Sequence, residues 1–239
     1  MISAQTAFRI SFGAAVVALL ATVYFAFLPV VPCGDLVKNY APVVAEELAR
    51  TTADLHAIFG DPGTCRSVLA AKLNLITWVD SLLFIPAYGA FLLFFFLGMV
   101  PRDEQSSFIG FVFAAVAVFA DYAENICLFQ VTGAPDVAGV ALAVLPWATG
   151  IKWIGLGLAG MMGGAVLLER GGENYPAAAA CGLALLGSVL GIVNPHLFAP
   201  YLMSAIALSW LAFLVVAVRG AFFGGASAVP QLEVQDDAA

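Results

Sequence analysis

Apolar residues fall in blocks long enough to cross a bilayer, near 10–31, 76–100, 107–131, 146–168, 177–194 and 200–218. Crossing about 30 Å of hydrocarbon takes roughly 20 such residues in a helix. The fifth block is the shortest, and Asn194-Pro195-His196 blurs its end. Most polar interruptions are brief, as a bundle of antiparallel neighbours requires. The exception is 32–74. There Pro42 followed by Val44, Leu48, Leu55 and Phe59 predicts an amphipathic helix lying on the bundle or at the interface. Asp61-Pro62-Gly63 predicts a turn. The pattern therefore predicts an all-α polytopic bundle of six transmembrane helices in a single domain, 1–223. A first outer loop, 32–74, carries the amphipathic helix, and a flexible cytoplasmic tail follows at 224–239.

Composition strengthens this reading. Of 239 residues 62% are hydrophobic and only 10% charged, whereas a soluble domain is nearer half apolar and a quarter charged. The formal charge of −7 argues against a nucleic-acid partner, which needs a basic face. The run after Arg9 is too long for a signal-peptide core, and no small-x-small site follows it, so it is expected to stay as a first span. Arg9, Arg102, Arg170 and Arg219 flank one set of span ends, while the short links near 132–137 and 195–199 hold no Lys or Arg. By the positive-inside rule both termini then face the cytoplasm, which points to a multi-pass protein of the bacterial inner membrane. Lys38, Arg50, Arg66 and Lys72 in the first loop run against the rule, and the other four sites decide it. Cys33 and Cys65 bracket that loop and are placed to pair outside the cytoplasm. Cys127 and Cys181 lie within spans as packing residues.

Inside the third block the hexapeptide Ala120-Asp121-Tyr122-Ala123-Glu124-Asn125 breaks the apolar run. On a helix Asp121, Glu124 and Asn125 share one face. Ionisable groups within a span cost several kcal/mol, in round terms, and mark a functional site by default. In the second block Asp80, Phe84 and Tyr88 lie four residues apart on one stripe. In the fourth, 138–168 is too long for one perpendicular crossing. Pro146 suits a first helical turn and Trp147 an interface, which puts Lys152 about 9 Å deep. Asp80, Asp121, Glu124 and Lys152 then share one layer, in which Lys152 pairs with an acid more favourably than it snorkels. Three acids against one lysine leave carboxylate in excess.

Other motifs carry less. Gly155-Leu156-Gly157-Leu158-Ala159-Gly160 matches G-x-G-x-x-G but follows no strand, so no dinucleotide site is expected. Gly160/Gly164 and Gly187/Gly191 read as small-x-x-x-small helix contacts. His56 and His196 stand alone, and no metal or cofactor is expected. Trp210 and the phenylalanines read as packing or lipid-facing residues.

Asp80-x3-Phe84-x3-Tyr88, Asp121-x2-Glu124-Asn125 and Lys152-Trp153, over roughly 75–155, resemble a loose group of uncharacterised bacterial multi-span membrane proteins. The resemblance implies no activity. The acid-lined chemistry is also similar to that of the sterol-isomerase/sigma-2 type of four-helix membrane fold. Six spans and the lack of an intramembrane His depart from that type, so its function is not transferred.

The expectation is a polar intramembrane pocket for a membrane lipid or small amphipathic molecule. Asp121 and Glu124 are its candidate acid/base residues, Lys152 the counter-charge, and Asp80, Tyr88 and Asn125 the orienting groups. One alternative is an accessory subunit with a structural polar layer, docking a membrane-protein partner through 32–74. Another is a proton-coupled carrier, although the sequence lacks the internal repeat many carriers show.

Overall fold

The structure is a computed structural model and describes residues 2–37, 40–169 and 174–223. Its helices are α1 (Ala4–Phe27), α2 (Pro42–Glu47), α3 (Thr52–Phe59), α4 (Thr64–Val79), α5 (Ile85–Met99), α6 (Glu104–Gly133), α7 (Gly139–Leu168), α8 (Tyr175–Val193) and α9 (Pro195–Phe222). A π-helical turn, Asp80–Phe84, joins α4 to α5 without a break. The described residues thus contain six rods long and apolar enough to cross a membrane, with α4, the π turn and α5 forming one of them. The tail from Gly224, Lys38 and Arg170 lie outside the described residues.

Local chemistry sets the ends. Ser3 and Asp103 cap α1 and α6 by accepting bonds from Thr6 and Ser106 backbone N–H groups, each satisfying a donor the helix leaves open. Pro42 and Pro195 open α2 and α9, where a missing N–H costs nothing. The single amphipathic helix expected over 42–59 is instead two short ones. Thr51 and Asp54 form a capping box that starts α3 afresh, because their side chains compete with helical continuation. The fourth long helix starts earlier than Pro146. It begins at Gly139, and Pro146 is an interior residue rather than a first-turn one. Burial of Ala141, Leu142 and Leu145 holds the extra turns in place.

The rods outrun a bilayer. The π turn and α5, 5 and 15 residues, together rise roughly 30 Å, about the hydrocarbon thickness. The 16 residues of α4 continue beyond them, and α6 and α7, at 30 residues each, also exceed it. Their surplus is gathered at the loop end into a cap with its own core. Ala45 and Ala49, then Leu55, Ile58 and Phe59 of α3, meet Leu69 and Leu73 of α4, Leu128 and Val131 of α6, and Leu142 and Leu145 of α7. A larger core, with Phe91, Phe95 and Phe213 among its members, fills the membrane part. The last part of 32–74 is therefore helical, since α4 already begins at Thr64.

Cys33 and Cys65 are joined, with Cα atoms 5.9 Å apart, which staples the loop to the start of α4. Closing a loop of 32 residues stabilises by about 3–4 kcal/mol in the chain-entropy model. Cys127 and Cys181 are free and buried. Across the cap, Arg66 pairs with Asp136 at 2.5 Å. At the opposite end Arg9 donates to the Ala221 carbonyl at 3.3 Å and Arg102 lies 5.6 Å from the Phe8 ring.

Candidate functional site: a carboxylate cluster between two cores

Every polar residue singled out within the spans meets at the joint between the two cores. Asp121 and Glu124 project from α6 one turn apart, Lys152 from α7 opposite them, and all three are buried. The Lys152 ammonium bonds Glu124 directly, lies 3.3 Å from Asp121 and donates at 3.0 Å to Glu47. Its charge also sits 4.7 Å from the Trp153 ring centre, a favourable placement over the ring's negative face. Three carboxyl groups surround one ammonium.

The arrangement extends on both sides. Tyr88 of α5 donates to Asp121 at 2.7 Å, and its ring stacks on Trp210 of α9 at 5.3 Å. Asp80, the first residue of the π turn, accepts from Asn125 at 2.6 Å, and the same amide donates to Ser81 at 2.9 Å. A π turn adds one residue to the repeat and swings the following side chains around the axis. Here it sets Asp80 and Ser81 against Asn125 while Tyr88 still reaches Asp121. Asp80 is only partly buried and sits at the flank of the bundle, beside exposed Trp78 and Leu82.

Thr149, one turn before Lys152, brings its hydroxyl to two oxygens: the Glu47 carbonyl at 2.9 Å and a Glu124 carboxyl oxygen. A hydroxyl carries one proton, and the backbone carbonyl can only accept. The one Thr149 proton is shared between these two acceptors, in the manner of a three-centre bond.

The sequence reading brought together Asp80, Tyr88, Asp121, Glu124, Asn125 and Lys152, and the structure places all six at one level in two adjacent bonded groups, Tyr88, Asp121, Lys152 and Glu124 in one and Asp80 with Asn125 in the other. It missed Glu47, Thr149 and Ser81, and with them Glu46, which is buried and bonded to Thr132 of α6 at 2.5 Å. Glu46 and Glu47 look like solvated loop acids in sequence. A readable signal was nonetheless present, since Val43, Val44, Ala45, Leu48 and Ala49 leave the pair no polar stretch to occupy. Burial pushes Glu47 above the usual carboxylate range, although the Lys152 charge opposes it. Trp210 is a packing residue, as expected, but it packs on a member of the network.

No family model, curated protein or solved structure matches the chain.

Proposed function

We propose that this protein binds a lipid-like or small amphipathic molecule at the carboxylate cluster, with Asp121 and Glu124 exchanging protons with it or across it. The observation that carries the reading is the placing of three carboxyl groups, two buried and Glu47 half-buried, around a single ammonium. Helix adhesion alone requires one acid per base. The surplus must be neutralised by protons, since like charges at this range do not all ionise in a buried setting. Asp80 supplies a polar contact at the membrane-facing flank, at the depth where an amphiphile's head group lies. In a catalytic version, the protonated carboxyl is the general acid.

The rival reading is a structural joint in a scaffold or accessory subunit. Its support is that the network satisfies itself with side chains and lies between two apolar cores. Glu124→Gln and Asp121→Asn separate the two. The amides keep shape and bonding, so under the binding reading both variants fold, with melting temperatures near the parent's. Native mass spectrometry of protein extracted in mild detergent then shows the parent carrying a bound lipid-sized adduct and the variants lacking it. Variants that melt early yet still carry the adduct favour the scaffold.

We further propose that the chain lies in the bacterial inner membrane with both termini cytoplasmic and the cap outside. Arg9, Arg102 and Arg219 collect at the end away from the cap, in keeping with the positive-inside rule. The disulfide supports the same orientation, because such bonds persist in oxidising compartments. The cap's own cations are engaged: Arg66 with Asp136, Lys72 with the Pro29 carbonyl at 2.7 Å and Arg50 with the Ile192 carbonyl. An impermeant maleimide added outside spheroplasts is expected to label a cysteine placed at 135 or 197 and not one at 104. The reverse pattern inverts the orientation.

A further inference from the structure

We infer that α2 is a lid over the carboxylate cluster, docked while Glu46 is neutral and lifted when Glu46 ionises. The inference deepens the binding reading above by assigning the site a means of access.

The geometry of α2 is the basis. This helix has six residues, too few to be stable alone, so its position depends on what it docks against. Two adjacent acids do the docking. Glu47 reaches Lys152 across the joint, and its carbonyl takes the Thr149 bond. Glu46 is 2% exposed and meets the Thr132 hydroxyl at 2.5 Å. No Lys, Arg or His among the described residues lies within ion-pair distance of it. A buried carboxylate with one hydroxyl partner and no cation is costly, and such a group is buried in its neutral form. On the side of α2 towards the α8–α9 turn, Ala45, Leu48 and Ala49 line a cleft of about 270 Å³ with Tyr40, Ile58 and Pro195. α2 is the partition between that cleft and the cluster, and the cleft gives it space to move into.

Burial raises Glu46 from its ordinary 4.5 to about 8, with the Thr132 bond opposing and the neighbouring Glu47 adding to the rise. The docked state therefore binds one more proton than the lifted state between these two values. Docking is strongest below about pH 4.5 and weakens as pH rises, tenfold per unit, until about 8. The docking equilibrium changes by about three-thousandfold across that window. The other groups facing the lid are Glu47 on α2 itself, Asp121 and Glu124 on α6, Lys152 on α7, Asp54 and His56 on α3, and Arg50, Tyr40 and His196 at the rim. Burial, then the charges of Asp54 and Glu47, push Tyr40 up to about 12, so it stays neutral throughout. Asp54 is held by its capping box, its oxygen taking the Arg50 and Thr51 N–H groups at 2.9 Å each. Glu46 is distinguished from all of these by having no cation and no solvent.

Spin labels test it without any ligand. Labels at Ala41→Cys, beside α2, and Val140→Cys, exposed on α7, are read by electron–electron double resonance in lipid nanodiscs, with Cys127→Ala and Cys181→Ala as background. At pH 5 a single short distance is expected. A longer component then grows as pH is raised to 9, and Glu46→Gln keeps the short distance at every pH. Glu46→Leu, which has similar bulk and cannot ionise, serves as the second variant if the amide fails to fold. A parent distance that does not change with pH overturns the lid, and so does an equal shift in the non-ionisable variant, which would assign the movement to Glu47 or the histidines. Either failure leaves the binding reading to be judged separately by the native mass spectra.

Discussion

Replacing Lys152 with Met is expected to lower unfolding stability by about 3–5 kcal/mol, the range found when one partner of a buried ion pair is removed. Met keeps the length and apolar stem of Lys and removes only the ammonium. Glu47, Asp121 and Glu124 then share a buried volume with no cation. The cost is more than a lost attraction, because each acid must now be protonated or desolvated alone. Adding Glu124→Gln to Lys152→Met removes the acid bonded most directly to the ammonium, and a substantial part of the loss should return. Equilibrium unfolding in mixed micelles, parent against single and double variants, provides the measurement. A single variant as stable as the parent would show that the ammonium does not hold the cluster together.

The second large effect is expected where three helices touch backbone to backbone. A methyl group added at Gly160 of α7 would stand 2.9 Å from the Ala184 Cβ of α8, and one added at Gly187 of α8 would stand 2.8 Å from the Ala205 Cβ of α9. Membrane helices associate by close packing, and small residues allow that approach. Gly160→Leu and Gly187→Leu force the pairs apart and should each cost about 3 kcal/mol, at the upper end of overpacking penalties. Gly182→Leu is the control, because it lies on the same helix α8 with nothing within 4 Å of its added carbon. The same unfolding assay should show the control unchanged. Equal losses at Gly182 and Gly187 would mean that helix contact is not what the glycines serve.

Both sets of residues were legible in sequence for the same reason. A polar residue in an apolar run, or a glycine at a four-residue spacing, stands out against a uniform background. Asp121, Glu124, Asn125 and Lys152 were readable in this way, as were Gly160 and Gly187 and the cysteine pair. Glu46 and Glu47 stood against only a short apolar background, Val43 to Ala49, and acids in a loop are ordinarily solvated, so their place in the tertiary cap was harder to read. The helix ends were not legible because hydropathy reports how apolar a segment is, not where the helix stops. Gly139 to Leu145 is as apolar as a membrane segment, yet it packs into the cap. The π turn at Asp80 left no mark either, being a matter of backbone register.

The order in which the chain is made gives the Lys152 contacts a consequence for biogenesis. The α6 segment leaves the ribosome first, carrying Asp121 and Glu124, and at mid-helix each acid opposes insertion by about 3 kcal/mol on translocon scales. The ammonium that offsets them arrives one helix later, across a connection of only a few residues. Partition of α6 and α7 into lipid together, as one hairpin, therefore costs less than sequential release. In the orientation proposed above, the remaining acid, Glu47, lies on a loop synthesised earlier that crosses to the far side without entering lipid. In that orientation the charge centre is completed from two sides of the membrane, and only after both have been populated.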